Sequence, residues 1–153
     1  MKKQVIISIK GVQSADDNNS DNNIELITGG LFSSRGSNFY ISYKETEMTG
    51  LDGVLTTVKV EGSDRVTITR GGRYKTQLIL EKGKRHLCHY ATDFGSMMMG
   101  VNTANIDSTL NNSGGKISVN YSLEINHALA SENRFEISVR EANSTNDKSY
   151  PVS

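Results

Sequence analysis

From residue 4 to residue 139 the chain repeatedly alternates apolar and polar side chains. This period of two marks half-buried strands, whose successive side chains point to opposite faces of a sheet. Val5, Ile7 and Ile9 fall on one face of the first run, and Phe39, Ile41 and Tyr43 on one face of a run over 39–47. Val54, Thr56, Val58 and Val60 follow, then Val66 and Ile68, then Tyr74, Thr76, Leu78 and Leu80. The longest unbroken case is 116–125, where Ile117, Val119, Tyr121, Leu123 and Ile125 alternate with Lys116, Ser118, Asn120, Ser122 and Glu124. Phe135, Ile137 and Val139 close the series.

Short Gly, Asn and Asp clusters separate these runs: Gly50-Leu51-Asp52-Gly53, Gly71-Gly72, Lys82-Gly83-Lys84, Asp93-Phe94-Gly95 and Asn111-Asn112-Ser113-Gly114-Gly115. Such residues tolerate the positive φ of tight hairpins. Parallel strands would need crossovers of about a dozen residues, and no helical period is long enough to supply them. His127–Glu132 could form one helical turn or a wide hairpin loop. The pattern therefore predicts an all-β, single-domain antiparallel meander of roughly 8–10 strands over residues 1–141. An open sheet of that size leaves unprotected edges, so closure into a barrel is expected, with a two-sheet sandwich as the rival. Two stretches lie outside the alternation: the Asn/Asp-rich residues 14–23, read as a flexible loop between the first two strands, and 142–153, read as a disordered polar tail.

Composition narrows the function classes. Seventeen Lys and Arg balance seventeen Asp and Glu, which argues against broad electrostatic binding to nucleic acid or to an anionic membrane. The single Cys allows no intramolecular disulfide, no apolar run approaches a bilayer span, and the N-terminal apolar stretch is shorter than a signal-peptide core. A cytoplasmic location is the expectation.

The residues also carry a family resemblance. Tyr43-Lys44-Glu45-Thr46-Glu47, Gly50-Leu51-Asp52-Gly53, Thr56-Thr57-Val58-Lys59-Val60 and Val66-Thr67-Ile68-Thr69-Arg70-Gly71-Gly72 resemble the YwiB-like family of bacterial proteins of unknown function. So do His89-Tyr90-Ala91-Thr92-Asp93-Phe94-Gly95 and Ile117-Ser118-Val119-Asn120-Tyr121-Ser122-Leu123, and the similarity extends over about residues 4–141. The resemblance implies a small cytoplasmic calycin-like barrel, related in architecture to lipocalins and fatty-acid-binding proteins, with no established activity. The Asn/Asp-rich stretch at 14–23 looks like a lineage-specific insertion.

Candidate chemistry lies where charge enters the inward stripe. Steps of two from Tyr43 reach Glu45 and Glu47, and steps of two from Ile68 reach Arg70. These charges either anchor a ligand head group at one barrel end or form an ion pair that closes it. Tyr43, Tyr121, Met97 and Met99 would form the adjoining wall, the methionines serving as adaptable apolar filler or ligand lining. A glycosidase-like use of Glu45 and Glu47 is disfavoured, because both would approach substrate from one side.

Elsewhere the signals are weaker. In His86-Leu87-Cys88-His89-Tyr90, His86 and Cys88 share a face while His89 points away, short of the three or four ligands of a zinc site, and no metal is expected. Gly29-Gly30-Leu31-Phe32-Ser33-Ser34-Arg35-Gly36 lacks the Lys-Ser/Thr ending of a phosphate loop and reads as bulges or turns; no cofactor is expected. Lys75, Lys82, Lys84 and Arg85 near Tyr74 and Tyr90 read as a solvated edge rather than a nucleic-acid groove. The leading expectation is a barrel that binds a small, partly apolar ligand in its interior or at its mouth. The alternative is a solid barrel acting as a protein-interaction or scaffold module, dimerising through Tyr40, Leu55 and Ile79, with enzyme activity ranked third.

Overall fold

The structure is a computed structural model that describes residues 2–15, 21–45, 53–71, 76–92, 95–125 and 128–142. Ten strands form one antiparallel sheet: β1 (Lys2–Ala15), β2 (Asp21–Arg35), β3 (Asn38–Lys44), β4 (Leu55–Glu61), β5 (Arg65–Arg70), β6 (Thr76–Glu81), β7 (Arg85–Thr92), β8 (Gly95–Ser108), β9 (Gly114–Ile125) and β10 (Ala128–Glu141). The order around the sheet is β6-β5-β4-β3-β2-β1-β10-β9-β8-β7, so every connected pair except β6 and β7 is laddered and β10 returns to β1. This is the expected meander, rolled into a nearly closed barrel.

The seam lies between β6 and β7. Their turn is held to β8 instead, through Gly83 N–H donating to Thr103 O at 2.9 Å and a bridge between Lys82 and Thr103. Across the seam His86 Nε2 meets Glu81 Oε1 at 2.9 Å, with Arg65 and Lys84 also on Glu81 at 3.3 and 3.4 Å. The His86 hydrogen bond, then those two cations, hold the Glu81 carboxyl below its usual range.

Alternation decides which side chains fill the barrel. At the end holding the β2–β3, β4–β5, β6–β7 and β8–β9 turns, Phe32, Val60, Val66, Leu80, Val101, Ile117 and Val119 are buried, and the Phe32 and Phe39 rings stack 5.7 Å apart. Lys3 ties this end together by donating to Asn112 O at 2.6 Å and pairing with Glu141 at 2.9 Å. At the opposite end the interior is not filled.

Three local expectations change. Strand pairing runs to Ser14↔Asp21, so residues 14, 15 and 21–23 belong to β1 and β2, and only 16–20 of the expected loop lie outside the described residues. Ala128–Glu132 starts β10 rather than a helical turn or wide loop, with a bulge between Leu129 and Ser131; His127 lies outside the described residues. Gly29 and Gly30 sit inside the continuous β2 instead of at a turn. A Cβ on Gly30 would collide with Ser42 O on β3 and with the Ile7 side chain, so glycine there permits a close backbone approach. Of the expected tail, Ala142 is described, its N–H donating to Gln4 O at 3.2 Å, and residues 143–153 lie outside the described residues.

Candidate functional site

The β3–β4–β5–β6 register sets Tyr43 opposite Thr56, Thr56 opposite Arg70, and Arg70 opposite Thr76, one row of inward positions across four strands. Glu45 lies one inward step beyond Tyr43. Its backbone is held by Glu45 N–H donating to Val54 O at 2.7 Å and Gly53 N–H donating to Glu45 O at 3.1 Å. Just past Arg70, Gly71 N–H donates to Leu55 O at 3.0 Å and fixes the end of β5.

This row carries a buried polar network. The Glu45 side chain is 2% exposed and accepts a short hydrogen bond from Thr56 Oγ1, while Arg70 Nε stands 3.6 Å from the same carboxylate oxygen. Burial pushes the Tyr43 hydroxyl well above the usual tyrosine range, helped by the adjacent Glu45 charge and the hydrogen bond to it, and opposed by Arg70. Burial also raises the Tyr121 hydroxyl, with Arg70 acting against it. Arg70 is bifunctional in position. Its Nε is buried and makes no hydrogen bond among the described residues, while its side chain is 41% exposed.

Beside this network lies a cavity of about 440 Å³ inside the barrel. Ile9, Leu26, Val58, Ile68, Leu78, Leu123, Phe135 and Ile137 give it an apolar wall, and Tyr43, Glu45, Arg70 and Tyr121 lie on its lining. Tyr121 packs edge-on to Phe135, with ring centroids 6.1 Å apart. The volume falls within the usual small-molecule range, as does the combination of an apolar wall with a few convergent polar groups.

The structure thus brings four of the sequence candidates around one space. Glu47 lies outside the described residues. Met97 and Met99 do not line the cavity, contrary to expectation. In register, Met99↔Ile125 is the last described pair of the β8–β9 ladder, and among the described residues Gly95–Met98 pair with β7 only. Met97 and Met98 are exposed there, and Met99 is buried away from the cavity.

Thr56 was visible only as an inward position; a hydroxyl in the Val54, Val58, Val60 stripe was the available signal that a polar group sits opposite. Of the proposed outer contact residues, Leu55 is exposed, while Tyr40 and Ile79 are half-buried around an external depression with Lys59 and His86. Cys88 is buried, and among the described residues no group of three or more His, Cys, Asp or Glu is placed to hold a metal ion.

Residues 7–137 match the family model of a domain of unknown function, DUF1934. The chain belongs to this family. The uncharacterized β-barrel protein YwiB of Bacillus subtilis (strain 168) is 27% identical over 125 residues, covering 82% of this chain and 86% of YwiB. The crystal structure of the B. subtilis YwiB protein superposes with a TM-score of 0.77 at 25% identity, over 92% of both chains. A β-barrel relative covering nearly the whole chain agrees with the ten-stranded architecture, and the DUF1934 family brings no activity with it.

Proposed function

We propose that this DUF1934 protein binds a small, predominantly apolar ligand in the open half of its barrel, with a compact acceptor-bearing head group over the Glu45–Arg70 pair. The observation that carries the reading is the 440 Å³ cavity lined by Arg70, a partly exposed cation whose buried Nε makes no hydrogen bond among the described residues. A carboxylate or carbonyl oxygen is the natural partner for a guanidinium so placed, while Glu45 neutralises the cation when the site is empty. The aliphatic and aromatic wall would supply most of the binding free energy, at roughly 25 cal/mol per Å² of apolar surface removed from water. A solid scaffold is the weaker reading, because the interior at this end is lined rather than filled.

The test is native mass spectrometry of freshly purified protein, together with a thermal-shift panel of fatty acids of graded length and small carboxylates. A bound species, or a shift that depends on chain length and weakens in Arg70→Met, supports the proposal. No bound species and no shift with any member of the panel overturns it.

A further inference from the structure

Strand parity sets a second, polar surface on the outside of the barrel, across β7 to β10. Two neighbouring outward rows run through it. In one, Arg134 on β10 lies opposite Asn120 on β9; in the other, Glu132 on β10 lies opposite Ser122 on β9, then Asn102 on β8 and Arg85 on β7. The β8–β9 register shifts between Thr103 and Asn105, so Ala104 is an extra residue at this point of β8. Short side chains therefore occupy the middle strands, and long charged ones the flanks. The result is a groove of about 710 Å³ whose lining includes these residues and Lys84.

The cations of the groove are held in place. Arg85 Nε and Nη2 both donate to Glu124 Oε1 at 3.0 Å, and Asn102 Nδ2 donates to Glu124 Oε2 at 3.0 Å. Glu124 itself is not in the lining, so it positions two residues that are. The Arg85 guanidinium lies over Gly100, where a Cβ would come within 2.6 Å of Nη2, and glycine leaves it that space. Lys84 is placed by its backbone, since Lys84 O accepts from Thr103 N–H at 3.4 Å while Gly83 N–H donates to Thr103 O. Thr103 also belongs to the lining, and its Oγ1 is buried without a hydrogen-bond partner among the described residues.

We propose that this groove binds a phosphorylated sugar or polyol, with the phosphate at Lys84 and Arg85 and the hydroxyls over Asn102, Ser122 and Asn120. A phosphate monoester carries about −1.5 to −2 charges at neutral pH and three strong acceptor oxygens, which suits more than one cation. Glu124 occupies Nε and Nη2 of Arg85 from one side, and Nη1 lies outside that contact. Lys84 pairs with Glu81 at 3.4 Å and is 66% exposed; an exposed pair of this kind contributes little, so a phosphate joins or replaces it readily. Asn and Ser side chains both donate and accept, as sugar hydroxyls do, and Glu132 adds an acceptor. β10 and β7 are three strand spacings apart, about 14 Å, so Arg134 meets the far end of the ligand only through the reach of its long side chain. Tyr121 and Arg134 lie on the linings of both the groove and the interior cavity, but Lys84, Arg85, Asn102 and Ser122 line the groove and not the cavity. The site is thus separate from the apolar ligand chamber and does not depend on it.

Titration of the full chain with glucose 6-phosphate, ribose 5-phosphate and glycerol 3-phosphate, followed by backbone-amide NMR, tests the proposal. Glucose and inorganic phosphate are the arms that lack one half of the chemistry. The expected result is saturable shifts at Asn102, Asn120 and Ser122 with at least one phosphorylated compound, roughly tenfold tighter than with glucose or phosphate alone. Arg85→Gln and Lys84→Gln should each weaken that binding roughly five- to tenfold, and Ser122→Leu, which fills the floor, should abolish it, whereas Arg70→Met should leave it unchanged. No saturable shift with any of the three compounds overturns the proposal, as does binding no tighter than that of inorganic phosphate, which would mean an adventitious ion only. Affinity unaltered in both Arg85→Gln and Lys84→Gln overturns it too. A wild-type circular dichroism spectrum for each variant separates loss of binding from loss of fold.

Discussion

Replacing Arg70 by Met removes a cation from beside the carboxylate of Glu45, whose side chain is only 2% exposed. At 3.6 Å, two unit charges attract by about 4–5 kcal/mol at an effective dielectric of about 20. Arg70 is 41% exposed, so solvent screens much of this, and desolvation of Glu45 opposes the rest. A net coupling of about 1–2 kcal/mol is expected. Arg70→Met should cost about 2–3 kcal/mol, because it takes a cation from a carboxylate that stays buried. Glu45→Gln should cost about 1–2 kcal/mol, since the amide oxygen can still accept from Thr56 and the exposed guanidinium turns to water. The double variant should fall short of the sum by the coupling.

Urea unfolding followed by fluorescence or circular dichroism measures all four corners of this cycle. With a slope of about 2 kcal/mol per molar urea, the Arg70→Met midpoint should fall by about 1 M. Additivity within about 0.5 kcal/mol would refute the idea that the two charges stabilise one another. So would a Glu45→Gln variant less stable than Arg70→Met, which would mean that the carboxylate mainly organises Thr56 and Tyr43.

Gly30→Ala should lose about 1–3 kcal/mol in the same assay, because its methyl meets Ser42 O and Ile7, whereas Gly29→Ala, whose Cβ would find Val5 O at 3.9 Å, should be neutral or slightly stabilising. Equal effects at the two glycines would contradict the close approach. Tyr43 and Tyr121 keep their protons in the folded barrel at a pH where the unfolded chain loses them, near 10, so stability should be intact below pH 10 and decline above it. The slope should approach about 1.4 kcal/mol per pH unit for Tyr43, with Tyr121 adding to it in the same direction, and Tyr43→Phe should flatten it; a midpoint constant from pH 8 to 11 would refute the burial of these hydroxyls. Ile68→Phe, which adds volume to the cavity wall, should abolish the thermal shift given by any panel ligand while changing stability by less than about 1.5 kcal/mol.

The barrel was legible because its inward stripes are regular. Val5-Ile7-Ile9, Val58-Val60 and Ile117-Val119 each place apolar side chains two apart, and the short connections leave little choice but a meander. β2 was hidden for a physical reason: Leu26 and Phe32 point inward while Ile27 and Leu31 point outward, so apolar residues occupy both faces and no period of two emerges. Its glycines, which elsewhere mark turns, serve here to let β3 approach. Among site residues, Tyr43, Glu45 and Arg70 could be found by counting along one strand each, because their roles follow from strand parity alone. Thr56 required the cross-strand register, and so did the position of Met97 and Met99 outside the cavity lining, which local sequence does not encode.

Methyl-resolved NMR titration with a medium-chain fatty acid is the most direct test of a ligand chamber in the open half of the barrel. The expected result is saturable shifts at Ile9, Ile68, Leu123 and Ile137, with a change at the Arg70 guanidinium and little at Ile117 or Val60 in the packed half. Shifts confined to outward residues such as Leu55 and Leu87, or none at saturating ligand, would contradict it.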